Sequence, residues 1–172
     1  GETSGVLAEA ESNIIKNLLA LEDQTVRDIM TPRSVAFMVG GQNTVEEFIA
    51  MEESKVHSRV PVYGADKDDV IGLVLKDDVF LASSEGKNDQ QLSELMREVE
   101  SIEETTGLTS FFNRLTKSRS HLYMVKDEYG TVIGLVTMED LFEAMLGHEI
   151  VDESDTVPDL QDLARKLANE NK

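Results

Sequence analysis

A chain of 172 residues can bury a sizeable core without staples and has no room for two large domains. Its 16 Lys and Arg against 34 Asp and Glu leave a formal charge of −18, which repels nucleic-acid phosphates and anionic membrane surfaces and argues against a nucleic-acid partner. With no cysteine, disulfides, thiolate metal sites and cysteine nucleophiles are excluded, so any chemistry rests on oxygen and nitrogen.

Leu7, Ala10, Ile14, Leu18 and Leu21 recur at helical spacing and predict a leading amphipathic helix within residues 1–22. No apolar run reaches the roughly 18 residues needed to cross a bilayer. The chain opens on Gly1, not Met, which reads as an added scar or a cut end.

From residue 23 the chain repeats itself. Ser58–Phe80 aligns without gaps on Ser120–Phe142 at an offset of 62, with eight identities in 23 positions. Five are consecutive, Val70-Ile71-Gly72-Leu73-Val74 on Val132-Ile133-Gly134-Leu135-Val136. Met30 matches Met96 only at an offset of 66, so the second copy is four residues shorter near its start. The copies are set at 23–86 and 87–150.

In the first copy, Thr31-Pro32 leads to a strand expected over Val35–Val39. Thr44 with Glu47 predicts a capped helix, matched in the second copy by Leu108, Phe111, Phe112 and Leu115 on one helical face. Val60–Tyr63 with Val70–Leu75, and His121–Val125 with Val132–Thr137, flank turn-rich links and predict hairpins. A closing helix carries Met138, Leu141, Phe142, Met145 and Leu146 and stops near Gly147. Each unit is therefore β-α-β-β-α, an α/β fold. The run IGLV is too apolar for a sheet with one wet face, so the two copies are expected to pack on each other. Residues 151–172 supply an acidic, proline-bearing linker and a trailing helix with Leu160, Leu163, Ala164 and Leu167.

Thr137 followed at the third position by Asp140 is the recipe for a helix cap. The same helix start can hold a phosphate while its carboxylate accepts ribose hydroxyls, and the two readings do not exclude each other. Basic residues gather at Lys55 and Arg59 and at Arg114, Lys117 and Arg119, joined by His57 and His121; an anionic ligand on so acidic a protein needs such local charge. Lysines ending a helix account for Lys55 and Lys117 and leave Arg59 unexplained. The catalytic and phosphate-loop motifs G-x-x-x-x-G-K-[ST], G-x-G-x-x-G and G-x-S-x-G are absent. Asp66, Asp68 and Asp69 lack the glycine and distal glutamate of a calcium loop, and the histidines have no metal-ligand spacing. No metal site and no enzyme are expected.

The duplicated unit, with Gly134-x-x-Thr137-x-x-Asp140, resembles a pair of cystathionine-β-synthase (CBS) domains, a Bateman module, over residues 23–150. Val26-Arg27-Asp28-Ile29-Met30-Thr31-Pro32-Arg33, His57-Ser58-Arg59-Val60-Pro61-Val62 and Glu139-Asp140-Leu141-Phe142 leading to Glu149-Ile150-Val151-Asp152-Glu153 resemble the CorC/HlyC and cyclin M magnesium and cobalt efflux proteins. The resemblance implies two repeats about a pseudo-twofold axis, a homodimer of modules, and a preceding transmembrane domain at whose cytoplasmic face the module acts. It also implies an adenine nucleotide, AMP, ADP or ATP with or without Mg2+, between the repeats. Carried over, Thr137 contacts phosphate and Asp140 the ribose. Thr31, His57 and Arg59 come from the first repeat, with Arg59 and His57 near phosphates, while Val35, Pro61, Ile133 and Val136 wall the base. Leu75 departs from the pattern where the first copy needs a hydroxyl, which implies one competent site per chain. The rival expectations are a dimerisation scaffold using Phe80, Leu81, Phe142 and Met145, and direct magnesium binding by the acidic surface.

Overall fold

The computed structural model describes residues 2–147; the acidic stretch and trailing helix expected over 151–172 lie outside the described residues. The first half runs α1 Glu2–Leu21, α2 Val26–Ile29, β1 Thr31–Pro32, β2 Val39–Gly40, α3 Val45–Ala50, a 3-10 turn Glu52–Lys55, β3 Arg59–Tyr63, β4 Val70–Leu75 and α4 Lys76–Ser84. The second runs α5 Leu92–Leu95, β5 Glu100–Glu103, α6 Leu108–Lys117, β6 Leu122–Lys126, β7 Val132–Thr137 and α7 Met138–Leu146. Each copy thus forms the expected β-α-β-β-α unit, as β2-α3-β3-β4-α4 and β5-α6-β6-β7-α7.

Two compact units organise these elements. One is helical and takes residues 2–29, 105–119 and 137–147; the other holds Met30–Glu104 and Ser120–Val136. In the sheet unit, β2, β3 and β4 form a three-stranded sheet and β1, β7, β6 and β5 a four-stranded one. Parallel pairs β2 with β3 and β5 with β6 are each bridged by a crossover helix, as parallel strands require. On one side of the smaller sheet, Val60, Val62 and Val74 pack with Phe48, Val79 and Leu92 from α3, α4 and α5. A second cluster joins the two sheets: Met38, Leu122, Met124, Val132 and Leu135 pack with Tyr63 and Val70. Both faces are covered over Gly72–Val74, as the IGLV run predicted, while Ile71 is 40 % exposed. A bulge makes this possible: the register shifts between Val62↔Gly72 and Tyr63↔Val70, turning Val70 to the face opposite Val74.

The expected strand Val35–Val39 is corrected to the pair Val39–Gly40. Thr31 and Pro32 already pair with Leu135 and Gly134, and the chain then turns back, the Val35 and Ala36 N–H groups donating to the Pro32 carbonyl. Val35 is left 72 % exposed in that turn.

The openings of the two copies are exchanged, a feature that sequence periodicity does not report. In the helical unit, α2 of the first copy meets α6 of the second, the Val26 N–H donating to the Thr106 carbonyl at 2.9 Å. In the sheet unit, α5 of the second copy meets α3 of the first in the same way, Val45 N–H to Gln90 O at 2.9 Å. Likewise β1 joins β7 through Thr31↔Leu135, and Arg97 bridges Leu73 on β4. Gly134 and Gly72 admit these crossings: a Cβ on Gly134 would overlap the Thr31 carbonyl oxygen, and one on Gly72 would stand 2.7 Å from that of Arg97. Because each opening belongs to the other copy's sheet, the link from it to its own helix is free to differ by four residues.

The helix α3 starts on the expected capping box, Thr44 Oγ1 accepting from the Glu47 N–H at 3.2 Å and Glu47 Oε2 from the Thr44 N–H at 2.9 Å. Thr44→Ala is expected to cost about 1 kcal/mol, lowering the melting temperature by roughly 2–4 °C in a chain of this size. Thermal unfolding by circular dichroism checks it, and an unchanged midpoint would show that the box contributes nothing.

Candidate functional site

The helical unit carries the Thr137 and Asp140 pair. β7 ends at Thr137, whose extended backbone (φ −119°) serves as N-cap of the nine-residue α7. Thr137 Oγ1 accepts from the Asp140 N–H at 3.2 Å, and Asp140 Oδ2 accepts from the Thr137 N–H at 2.9 Å. The helix-cap reading is therefore realised. Asp140 Oδ2 is thereby engaged by the Thr137 backbone, and the Thr137 side chain also favours the ionised carboxylate. α7 stops at Gly147 (φ +82°), whose N–H donates to the Glu143 carbonyl, and Leu141 on its inner face is fully buried.

The capping boxes of α3 and α7 differ in their electrostatics. Burial pushes the Asp140 carboxyl above the ordinary aspartate range, outweighing the Thr137 hydrogen bonds, with repulsion from Glu143 and Glu139 adding to it. Glu47 lies in the open, and the Thr44 backbone bond, helped by Asn43, holds it below the ordinary glutamate range. A half-buried carboxylate that is costly to keep charged gains more from a hydroxyl-rich ligand than an exposed one does.

The other expected residues lie in the sheet unit. Thr31 is half-buried on β1 opposite Leu135, and the Arg33 N–H donates to the Ile133 carbonyl at 2.9 Å, which brings the segment Thr31–Arg33 beside β7, while Val35 stands in the exposed turn that follows. On β7, Ile133 is half-buried and Val136 fully buried. Pro61 is buried mid-strand on β3 opposite Leu73. Arg59 opens that strand, half-buried and, among the described residues, without an ion pair or side-chain hydrogen bond. His57 is exposed and stacks on Phe37, ring centroids 5.6 Å apart. The Asp66–Asp69 turn is closed on itself, Asp66 Oδ1 accepting from the Asp68 N–H, while Asp68 pairs with Arg33. Among the described residues no group of three His, Asp or Glu is placed to hold a metal ion.

Sequence reasoning missed one charged pair in the first copy. Leu75 caps α4 without any side-chain hydrogen bond, as its chemistry dictates. Asp78, the counterpart of Asp140, is engaged by Arg97, Nε donating to Oδ2 at 3.0 Å and Nη2 standing 2.9 Å from the same oxygen. The signal was present: Arg97 follows Met96 as Thr31 follows Met30.

Comparison with known proteins gives a consistent result. The family model for the CBS domain matches twice, over residues 26–85 and 92–147. Among curated proteins the chain is similar to the magnesium and cobalt efflux protein CorC of Escherichia coli, 30% identical over 155 residues, covering 90% of this chain and 53% of CorC. It is also similar to a hemolysin C homolog of Rickettsia rickettsii, 36% identical over 146 residues, covering 84% of this chain and 48% of that protein. The chain spans about half the length of these curated relatives. Among solved structures, the CBS domain of the bacterial CNNM/CorC family Mg2+ transporter in complex with ATP superposes with a TM-score of 0.73 at 30% identity, over 80% of this chain and 97% of that one.

Proposed function

The chain belongs to the CBS-domain family, in its CorC and CNNM branch, and on that premise we propose that it is a non-catalytic regulatory module, its repeats at 23–86 and 87–150, binding one adenine nucleotide. Thr137 donates to phosphate and Asp140 accepts from the ribose hydroxyls. Arg59 and His57, with Thr31, approach the phosphates, and Val35, Pro61, Ile133 and Val136 wall the base. The observation that carries this reading is the ATP complex of a similar CBS domain almost wholly covered by this chain. The residues here suit such a ligand in kind: a helix start with a hydroxyl, a half-buried carboxylate beside it and, among the described residues, an arginine without an ion pair.

Through a difference in nucleotide affinity between two module shapes, the module controls an attached membrane transporter of magnesium or cobalt from its cytoplasmic face. No helix among the described residues is long and apolar enough to cross a membrane; the likeness to CorC, of which this chain covers 53%, supports a transporting part elsewhere in the protein. The test is a thermal-shift titration with ATP, ADP and AMP, with and without Mg2+. A ligand at a hundred times its Kd stabilises by about 2.7 kcal/mol, a rise of roughly 5–10 °C. No rise with any of them at millimolar concentration overturns the proposal.

A scaffold reading is favoured by one observation: Phe80 and Leu81 on α4 are 39 % and 59 % exposed. In the proposal they form part of a homodimer surface. Sedimentation of a Leu81→Glu variant as monomer, beside a dimeric parent, checks this assignment.

A further inference from the structure

The first copy contains a counterpart of the Thr137 and Asp140 position, and one of the chain's own arginines is seated on it. β4 runs into α4 as β7 runs into α7, with Leu75 in the place of Thr137 and Asp78 in the place of Asp140. Arg97 is held beside them by its backbone, its N–H donating to the Leu73 carbonyl at 2.7 Å and its carbonyl accepting from the Leu73 N–H at 3.0 Å. Gly72 allows that approach, because a Cβ there would stand 2.7 Å from the Arg97 oxygen. In the second copy the equivalent place, opposite Leu135 and against Gly134, is taken by Thr31. Arg97 is thus the positional twin of Thr31, with a guanidinium in place of a hydroxyl, and that guanidinium sits on the Asp78 carboxylate, Nε hydrogen-bonded to Oδ2 and Nη2 ion-paired with the same oxygen.

We infer that Arg97 is an internal occupant of the first-copy position, denying Asp78 to a ribose and holding the module to one adenine nucleotide per chain. This rests on the nucleotide reading above and adds the group that sets its stoichiometry. A ribose recognised by a carboxylate supplies hydroxyl donors, and a carboxylate already hydrogen-bonded and ion-paired to a guanidinium is a poor acceptor for them. Arg97 remains 59 % and Asp78 30 % exposed, so the pair adds little to stability and its removal leaves the fold intact. Leu75 alone does not explain the closed position, since restoring the hydroxyl leaves the arginine in place.

The test is a calorimetric titration of the full chain with ATP, comparing the parent, Leu75→Thr, and the double variants Leu75→Thr/Arg97→Thr and Leu75→Thr/Arg97→Ala. The expected stoichiometry is one per chain for the parent and for Leu75→Thr, and two for both double variants. A second equivalent bound by the parent or by Leu75→Thr alone overturns the inference, as does a stoichiometry of one in both double variants. If the parent binds none, the nucleotide reading fails. In that case one equivalent in the double variants still upholds the role of Arg97, and none overturns it as well.

Discussion

Gly134→Ala is expected to lower the melting temperature by roughly 4–12 °C, from an overpacking cost of about 2–3 kcal/mol. The added methyl would overlap the Thr31 carbonyl oxygen and press on Met30 Sδ at 3.0 Å. The first of these is backbone and cannot rotate away. Relief requires β1 to separate from β7, breaking the pairing of Thr31 with Leu135 and of Pro32 with Gly134. Gly72→Ala meets Arg97 in the same manner and is expected to behave alike. Gly107→Ala is the control: nothing lies within 4 Å of its Cβ and its backbone is not left-handed, so the change is expected within about 0.5 kcal/mol of the parent. Equal midpoints for Gly134→Ala and Gly107→Ala would show that the crossing of the two openings is not tightly packed. Since Gly134→Ala also displaces Thr31, it is expected to weaken nucleotide binding, whereas Gly107→Ala is not.

Asp140→Ala is expected to weaken adenine-nucleotide binding ten- to more than a hundredfold, about 1.5–3 kcal/mol, through loss of charge-assisted hydrogen bonds to the ribose. The alanine also removes the acceptor for the Thr137 N–H, so Asp140→Asn is the cleaner variant. Its amide oxygen keeps that bond without the charge. Burial raises the Asp140 pKa in the folded chain, which means that the fold disfavours the ionised form. In acid the carboxyl is neutral in both states and the asparagine variant has no advantage. As pH climbs from the ordinary aspartate range through the raised folded value, the parent loses stability relative to Asp140→Asn, and the gap then stays constant. Glu47 contributes in the other direction: its lowered pKa gives stability that is present above the ordinary glutamate range and lost as pH falls through the folded value. Calorimetric affinity for ATP at neutral pH, with melting curves from pH 3 to 8, separates these effects. Undiminished affinity in both Asp140 variants would remove this residue from the site.

Much of the molecule was legible in its residues. The offset of 62 delivered two β-α-β-β-α units. The boxes at Thr44 and Thr137, the hairpins either side of Asp66–Asp69 and Asp127–Gly130, and the stop at Gly147 all formed where expected. The face over Leu108 and Phe111 is buried, while Phe112, expected on it, is 40 % exposed. On α1 only Leu21 of the predicted stripe is buried, with Ala10 and Ile14 half-buried and Leu7 and Leu18 exposed. A helical pattern states which residues can share a face; how much of that face is covered depends on what packs there.

The sequence by itself determined the local chemistry: two equivalent units, a threonine and an aspartate capping one closing helix, and a leucine replacing that threonine in the other. These follow from spacings of two, three and four residues, over which side-chain direction and hydrogen-bond reach are set by backbone geometry. Only the tertiary structure decided that each copy's opening joins the other copy's sheet, that Gly72 and Gly134 are the crossing points, and that Arg97 lands on Asp78. Strand pairing is a choice among partners far apart in the chain, made by long-range hydrogen bonds and close backbone approach, and a pattern of apolar residues carries no label saying which edge a strand will join.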